Sequence, residues 1–184
     1  MKSITKDSIP HWQVCSTPVS ELAICADSKS VLQIVSAKDK ESLAEKMALQ
    51  HSEICYQESP VGNLACTQLQ EYFAGKRQEF SLPVELGNLS PFARQVLSTL
   101  QKLPFGETLS YGELAANAGN PLAARAVGRI MANNHLPIII PCHRVIGKNG
   151  SMTGYSGGDG IRTKEWLLNF EKQRLAESDQ KKAG

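Results

Sequence analysis

The chain has 184 residues, 41% hydrophobic and 21% charged, with a formal charge of +2. That composition suits a soluble globular protein with a real core, and no stretch approaches the ~18 apolar residues that a membrane-spanning helix needs. A balance so near neutral permits nucleic-acid binding without arguing for it, so any contact with DNA must be local.

The first residues, MKSITKDSIPHW, carry charges and no apolar run, so no signal peptide is read and the expected location is cytoplasmic. The five cysteines, Cys15, Cys25, Cys55, Cys66 and Cys142, are an odd number without a secretion signal, which implies free thiols. The first four read as small buried hydrophobes. Neither a CxxC motif nor paired histidines are present, so no metal and no cofactor is expected.

In chain order, residues 11–85 are mixed. WQVC, ELAICA and VLQIVSA are β-leaning runs separated by turn residues. Residues 38–51 and 61–74 follow a helical period, and residues 80–86 read as a further extended piece. Nothing catalytic gathers here, so residues 1–86 are read as an α/β scaffold domain. A linker follows at Gly87, Asn88 and Leu89, and Ser90-Pro91 opens a helix with serine as cap. Residues 87–175 form the second domain, and residues 176–184 read as a disordered, solvated tail.

The segment TLSYGELAANAGNPLAARAVGRIMANN has the punctuation of a helix-turn-helix. Ser110 and Glu113 form a capping-box signature, which puts Tyr111 in the first turn of one helix. Gly119 ends it, and Asn120-Pro121 is expected to start the next. On that second helix Leu122, Ala126, Val127 and Ile130 should face the core, with Ala123 and Met131 beside them. Ala124, Gly128 and Ala132 form a smooth strip flanked by Arg125 and Arg129. The strip suits close approach to a nucleic-acid backbone, or equally packing against a neighbouring helix. No Asn, Gln or Ser array is present to read base edges, so any DNA binding is expected to be independent of sequence.

Next, the β-branched run Pro137-Ile138-Ile139-Ile140 should be buried and deliver Pro141-Cys142-His143-Arg144 at a strand end. A cysteine beside basic groups is a candidate activated nucleophile, since nearby cations raise the thiolate share. The same residues also suit a buried thiol next to a surface histidine. Adjacent side chains diverge along a strand, so a water is the expected bridge from Cys142 to His143. In the last helix, counted from Thr163, Glu171 falls among Leu167, Leu168 and Leu175. A carboxylate on an apolar face needs a partner. It either orients His143, as the third member of a triad does, or pairs with Arg144, Arg162 or Lys164.

At Pro141-Cys142-His143-Arg144-Val145 the sequence resembles the O6-alkylguanine-DNA alkyltransferases (methylated-DNA–protein-cysteine methyltransferases), whose hallmark is this PCHRV segment. The resemblance extends through PFGETLSYGELAANAGNPLAARAVG, IMANN, IPCHRVIGKNGSMTGYSGG and KEWLLNFE, about residues 91–171. The first half resembles the family's N-terminal domain, with its ribonuclease-H-like fold, only loosely. The implied fold class is α/β (α+β): a sheet-and-helix domain followed by a mostly helical domain.

The resemblance also implies roles. Cys142 is the acceptor, His143 deprotonates it through a water, and Glu171 holds His143. Asn134 orders the turn between the recognition helix and the active-site segment. Tyr111 crowds the target phosphate and can donate a proton to the departing guanine. Arg125 fills the hole left by the flipped nucleotide, with Ala124, Gly128 and Arg129 on the DNA-facing helix. The main chain at Cys142 and Val145 recognises the guanine amino group, while Tyr155 and Ser156 wall the pocket. The implied partner is double-stranded DNA carrying O6-alkylguanine, bound through the minor groove by a monomer without sequence preference. Residues 157–163 form a longer segment than in many relatives, which affects the pocket rim.

Three rival functions predict different chemistry. A non-enzymatic lesion binder would keep the pocket and lack Cys142, which is present. A transcription regulator would need base-reading side chains. A thiol hydrolase using Cys142 and His143 would turn over acyl substrates.

Overall fold

The computed structural model describes residues 9–155 and 157–182. It divides into two compact units, Met1–Gly87 and Asn88–Gly184. In the first, strands β1 (His11–Ser16), β2 (Glu21–Ala26) and β3 (Val31–Ala37) precede helix α1 (Lys40–Gln50), the short strand β4 (Cys55–Tyr56) and helix α2 (Pro60–Phe73). The three β-leaning runs are strands and both helical periods are helices. β1, β2 and β3 pair antiparallel in succession, and β4 lies parallel to β1, giving the order β3-β2-β1-β4.

Strand β2 is buried over nearly its whole length because helices cover both faces of the sheet. Successive side chains alternate between those faces. Ala23, Cys25, Val35 and Ala37 join Leu43 and Met47 of α1 in one cluster, with Trp12 and Val14 packed against it. Gln13 and Cys15 point the other way and meet α2. Gln13 donates to Asn63 at 2.7 Å and accepts the Ser59 N–H at 3.0 Å. A Cβ on Gly62 would collide with the Gln13 amide, so this glycine sets how closely α2 approaches β1. Asp39 and Ser59 cap the two helices through the N–H groups of Ser42 and Gly62.

Two expectations for this unit need correction. The extended piece at residues 80–86 is not a full strand: it touches the sheet through a single parallel bridge, Val31 to Val84. Gln68 exchanges hydrogen bonds with the Ser81 main chain and so holds the segment from the helix side. Nor are the four early cysteines uniformly buried: Cys15 and Cys25 are, Cys66 is only partly covered, and Cys55 on the edge strand β4 is exposed.

The second unit contains helices α3 (Pro91–Gln101), α4 (Tyr111–Asn117), α5 (Ala124–Ala132) and α6 (Ile161–Lys182), with strands β5 (Leu109–Ser110) and β6 (Val145–Ile146) and a 3-10 turn at Cys142–Arg144. Ser90 caps α3, whose buried Ala93, Val96, Leu97 and Leu100 follow the helical period. The capping box of Ser110 and Glu113 opens α4. Gly119 closes it at φ +89°, with N–H bonds from Gly119 to Ala116 and from Asn120 to Ala115. This left-handed closure is the pattern in which glycine meets no Cβ clash.

That closure changes how the second helix begins. Asn120 and Pro121 belong to the turn, which ends with Ala123 donating to the Asn120 carbonyl at 3.0 Å. Helix α5 therefore starts at Ala124 without a side-chain cap, rather than at Asn120-Pro121. Leu122, expected in the core, is 97% exposed. Val127 and Met131 are the buried pair of α5, while Ala123, Ala126 and Ile130 are half-buried.

The Ile138–Ile140 run is likewise not a strand. Pro137 and Pro141 lack the N–H groups that a ladder requires. The chain turns instead, with Ile140 donating to the Leu136 carbonyl at 2.8 Å and Ile138 at φ 74°. A β-branched residue in that region costs about 1–3 kcal/mol, which surrounding contacts must offset. The C-terminal segment also differs from its reading as a disordered tail. Residues 176–182 continue α6, with good helix formers and no glycine or proline to stop it.

Candidate active site

Every part of this site lies within the second unit. Strands β5 and β6 pair in parallel, Leu109 with Val145 and Ser110 with Ile146. The ladder ties the start of α4, and therefore Tyr111, to the segment that follows Cys142. Asn134 orders the loop before Cys142, accepting the Leu136 N–H at 3.1 Å and donating to the Ile140 carbonyl at 2.9 Å. Its side chain also hydrogen-bonds Cys142.

Helix α6 supplies the other side. Lys164, Leu167, Leu168 and Glu171 recur at helical spacing and are all buried, so this apolar face carries one cation and one anion. Glu171 is surrounded by donors. His143 Nε2 lies 2.8 Å from Oε1, Arg144 Nε donates to Oε2 at 2.9 Å, Arg144 Nη2 donates to Oε1 at 3.0 Å, and the Gly106 N–H reaches Oε2 at 2.9 Å. Arg144 Nη1 donates to the Leu103 carbonyl at 2.7 Å, and its guanidinium lies over the Phe105 ring. The two pairings weighed for Glu171, with His143 and with Arg144, are both present. The fork of arginine on carboxylate is among the stronger charge-assisted geometries.

This arrangement fixes the protonation states. Burial alone would raise the Glu171 carboxyl, but the hydrogen bonds and charges of His143 and Arg144 outweigh it and bring the group to about 2. Burial lowers His143, against the opposing pull of Glu171, so the imidazole is neutral near pH 7. An ionised carboxylate only accepts, so Nε2 carries the imidazole proton. Nδ1 is left as a basic nitrogen, buried and without a hydrogen-bond partner among the described residues. His143 is not a surface residue.

Cys142 is 7% exposed. Burial pushes its thiol up, while the Asn134 hydrogen bond, the Lys164 charge and the N–H groups of Cys142 and His143 pull it back. The basic neighbours expected to acidify the thiol are His143 and Arg144, but the imidazole is neutral and the guanidinium is committed to Glu171 and Leu103. Lys164 takes the part instead. Its Nζ donates to the carbonyls of Val145 at 2.6 Å and Thr153 at 2.8 Å, with its own basicity lowered by burial. Lys164 entered the sequence reading only as a partner for Glu171. The signal for more was present, since it sits seven residues earlier on the same apolar face.

Tyr111 donates to the same Thr153 carbonyl at 3.1 Å, and Lys164 lies over its ring. A Cβ added to Gly128 would stand 4.0 Å from Tyr111 Cε1, so α5 passes close to this ring. Tyr155 is half-buried, and its phenol is held above the ordinary range by burial and by charge on Cys142. Ser156 lies outside the described residues. Arg125 and Arg129 are exposed, and Ala124 and Gly128 are half-buried. Arg129 borders an open cleft of about 360 Å³ with Ser90, Phe92 and Ile130. The structure thus gathers Cys142, His143, Glu171, Tyr111, Asn134, Val145 and Tyr155 around one centre, and leaves Arg125 and Arg129 on the surface of α5. Among the described residues no group of three or more His, Cys, Asp and Glu could hold a metal ion.

Comparison with known proteins agrees along the chain. Residues 91–173 match the family described as 6-O-methylguanine DNA methyltransferase, DNA binding domain, and residues 11–86 match its ribonuclease-like domain. A constitutive methylated-DNA–protein-cysteine methyltransferase of Bacillus subtilis is 40% identical over 162 residues, covering 88% of this chain and 95% of that protein. A methylated-DNA–protein-cysteine methyltransferase of Shigella flexneri is 40% identical over 85% of this chain and 92% of its own length. The crystal structure of Mycobacterium tuberculosis OGT in complex with DNA superposes with a TM-score of 0.75 at 36% identity, covering 89% of this chain and 94% of that one.

Proposed function

The chain belongs to the methylated-DNA–protein-cysteine methyltransferase family, and from that premise we propose that it repairs alkylated DNA directly, moving the alkyl group from O6 of guanine, and from O4 of thymine, onto Cys142. The observation that carries this reading is a buried thiol followed in sequence by a buried neutral imidazole, whose far nitrogen is held by Glu171. The reaction needs such an arrangement. His143 Nδ1 takes the thiol proton through a water, Nε2–H remains bonded to Glu171, and Arg144 keeps the carboxylate ionised. Asn134, Lys164 and the main-chain N–H groups then stabilise the thiolate as it forms.

The thiolate attacks the alkyl carbon. The S–C bond forms as the C–O bond breaks, the electron pair passes into the purine, and the Tyr111 phenol supplies a proton to the departing base. The resulting thioether has no hydrolytic route back, so each chain acts once. No cofactor takes part.

A guanine inside a duplex hides its alkylated oxygen and must be flipped out, at a cost of a few kcal/mol. Helix α5 enters the minor groove with Ala124 and Gly128 allowing close approach. Arg125 occupies the vacated stack, Arg129 meets the backbone, and binding is independent of sequence and monomeric. Val145 reads the base through its main chain, and Tyr155 walls the pocket. The alternative, lesion binding without transfer, leaves the reactive thiol and its base unexplained.

Mass spectrometry after mixing with excess O6-methylguanine duplex tests this reading. One methyl group should appear, on the peptide containing Cys142, followed by no further repair. Cys142→Ser should bind the lesion and transfer nothing. Sustained turnover, or transfer that survives in the variant, would overturn the assignment. Arg125→Ala should slow transfer from saturating duplex while leaving reaction with free O6-methylguanine base nearly unchanged. Full recovery at saturation would reduce Arg125 to a phosphate contact.

A further inference from the structure

Helix α2 approaches β1 closely because Gly62 presents no side chain to Gln13. Along this contact the strand offers Gln13 and Cys15, two residues apart on one face, and the helix offers Ser59, Asn63 and Cys66 on successive turns. Gln13 binds Ser59 and Asn63, which places Cys15 opposite Cys66. Cys15 Sγ donates to the Cys66 carbonyl oxygen at 3.8 Å, so the Cys15 thiol is seated directly against Cys66. Cys25 packs with the α1 cluster on the opposite face and cannot compete for either partner. Cys15 is buried, whereas Cys66 is only partly covered.

We propose that Cys15 and Cys66 form a redox-reactive thiol pair, a modification site separate from the acceptor Cys142, which small peroxides convert to a disulfide joining β1 to α2. Cys66 reacts first. Its sulfur attacks one peroxide oxygen, the S–O bond forms as the O–O bond breaks, and water leaves, so that sulfur is oxidised to sulfenic acid and peroxide is reduced. Cys15 then attacks the Cys66 sulfur, the S–S bond forms as the S–O bond breaks, and a second water leaves with the Cys15 proton. Overall, two thiols and one hydrogen peroxide give one disulfide and two waters. The Cys15 hydrogen bond favours the Cys66 thiolate, against burial and the Glu58 charge, and so makes Cys66 the more nucleophilic of the two. Attack on an oxidised partner sulfur requires the two sulfurs to meet, and the Cys15 sulfur already rests 3.8 Å from the main chain of Cys66.

The test uses the full chain and hydrogen peroxide, with remaining thiols blocked by N-ethylmaleimide and the product digested at both basic and acidic residues. Cleavage at Glu21 separates Cys15 from Cys25, and cleavage at Glu58 separates Cys55 from Cys66. The expected result is a peptide pair linked through Cys15 and Cys66, released by dithiothreitol, with blockable thiols falling from five to three per chain. Cys15→Ser should leave a sulfenic acid on Cys66 that dimedone traps, which the intact pair does not. A link through Cys25 or Cys55, or Cys66 over-oxidised while Cys15 remains blockable, would overturn the proposal.

Discussion

The two units bury polar side chains in different ways. Among the described residues of the first, Gln13, Ser20 and Gln68 are the buried polar ones, and the two glutamines are satisfied by the main chain and by Asn63. In the second, His143, Arg144, Lys164 and Glu171 are buried together with Thr163. Neutral amides serve packing, because a satisfied amide holds two elements in register without an ionic desolvation cost. Buried ions are expensive, and swapping them for apolar residues is often neutral or stabilising. Their concentration around Cys142 marks the part of the fold that holds charge against a desolvation cost.

Breaking that contrast at its strongest point should give the largest effect. Glu171→Ala would leave the Arg144 charge buried without its partner, at a cost of about 3–5 kcal/mol in a denaturant titration followed by amide exchange in the second unit. Glu171→Gln should cost less, slow transfer, and move the pH profile of Cys142 alkylation upward. An unchanged profile would leave Glu171 a structural clamp only.

Acid should separate the two units next. The folded Glu171 carboxyl stands at about 2 against an ordinary 4.5, so its stabilisation is complete above about 4.5 and disappears as the pH falls through 2. That difference corresponds to about 3 kcal/mol. His143, buried neutral, carries the same sign: its contribution is present above the ordinary 6.5 and is lost as the pH falls below it. Amide protection around Gly106 and His143 should therefore decline in acid before that of β2. Equal decline would contradict the division.

Lys164→Met keeps much of the volume and removes the bonds to Val145 and Thr153. A loss of roughly 2 kcal/mol is expected, in the range for charged hydrogen bonds. The thiol should also titrate higher, because the Lys164 charge lowers it now. The smallest effect belongs to Leu122→Ser, within about 0.5 kcal/mol, because the side chain is exposed and touches no core. A loss of ~2–5 kcal/mol would restore the core placement that its sequence position suggested.

What the sequence showed was mostly local. Ser90, Ser110 with Glu113, and Gly119 announced their helix ends because caps act within four residues. The runs of β1, β2 and β3 declared themselves by composition and turns. Asn120-Pro121 misled because the same residues can open one helix or close another, and the Gly119 closure decided it. Ile138–Ile140 misled because β-branched propensity was weighed above the two flanking prolines. The partnership of Glu171 with His143 was legible as a carboxylate on an apolar face. Its sharing with Arg144 and Gly106 was not, since nothing local joins residues so far apart. Lys164 lies on that same face and is legible only as a partner for Glu171, because its actual partners are carbonyls, which leave no mark in a sequence.

The spread of donors around Glu171 also has a consequence in time. Gly106 lies 65 residues before it, His143 28 and Arg144 27. During synthesis the chain makes the cysteine and the histidine well before the carboxylate that fixes the imidazole, and α6 must then dock across the whole second unit. Contacts of such sequence separation form late, after loop closure has been overcome. A nascent or half-folded chain therefore carries Cys142 as an ordinary thiol, without its oriented base, and competence to react arrives only when the last helix is in place. Under the proposed reaction, in which each chain acts once, this order of assembly protects the single equivalent from being consumed before the fold is finished.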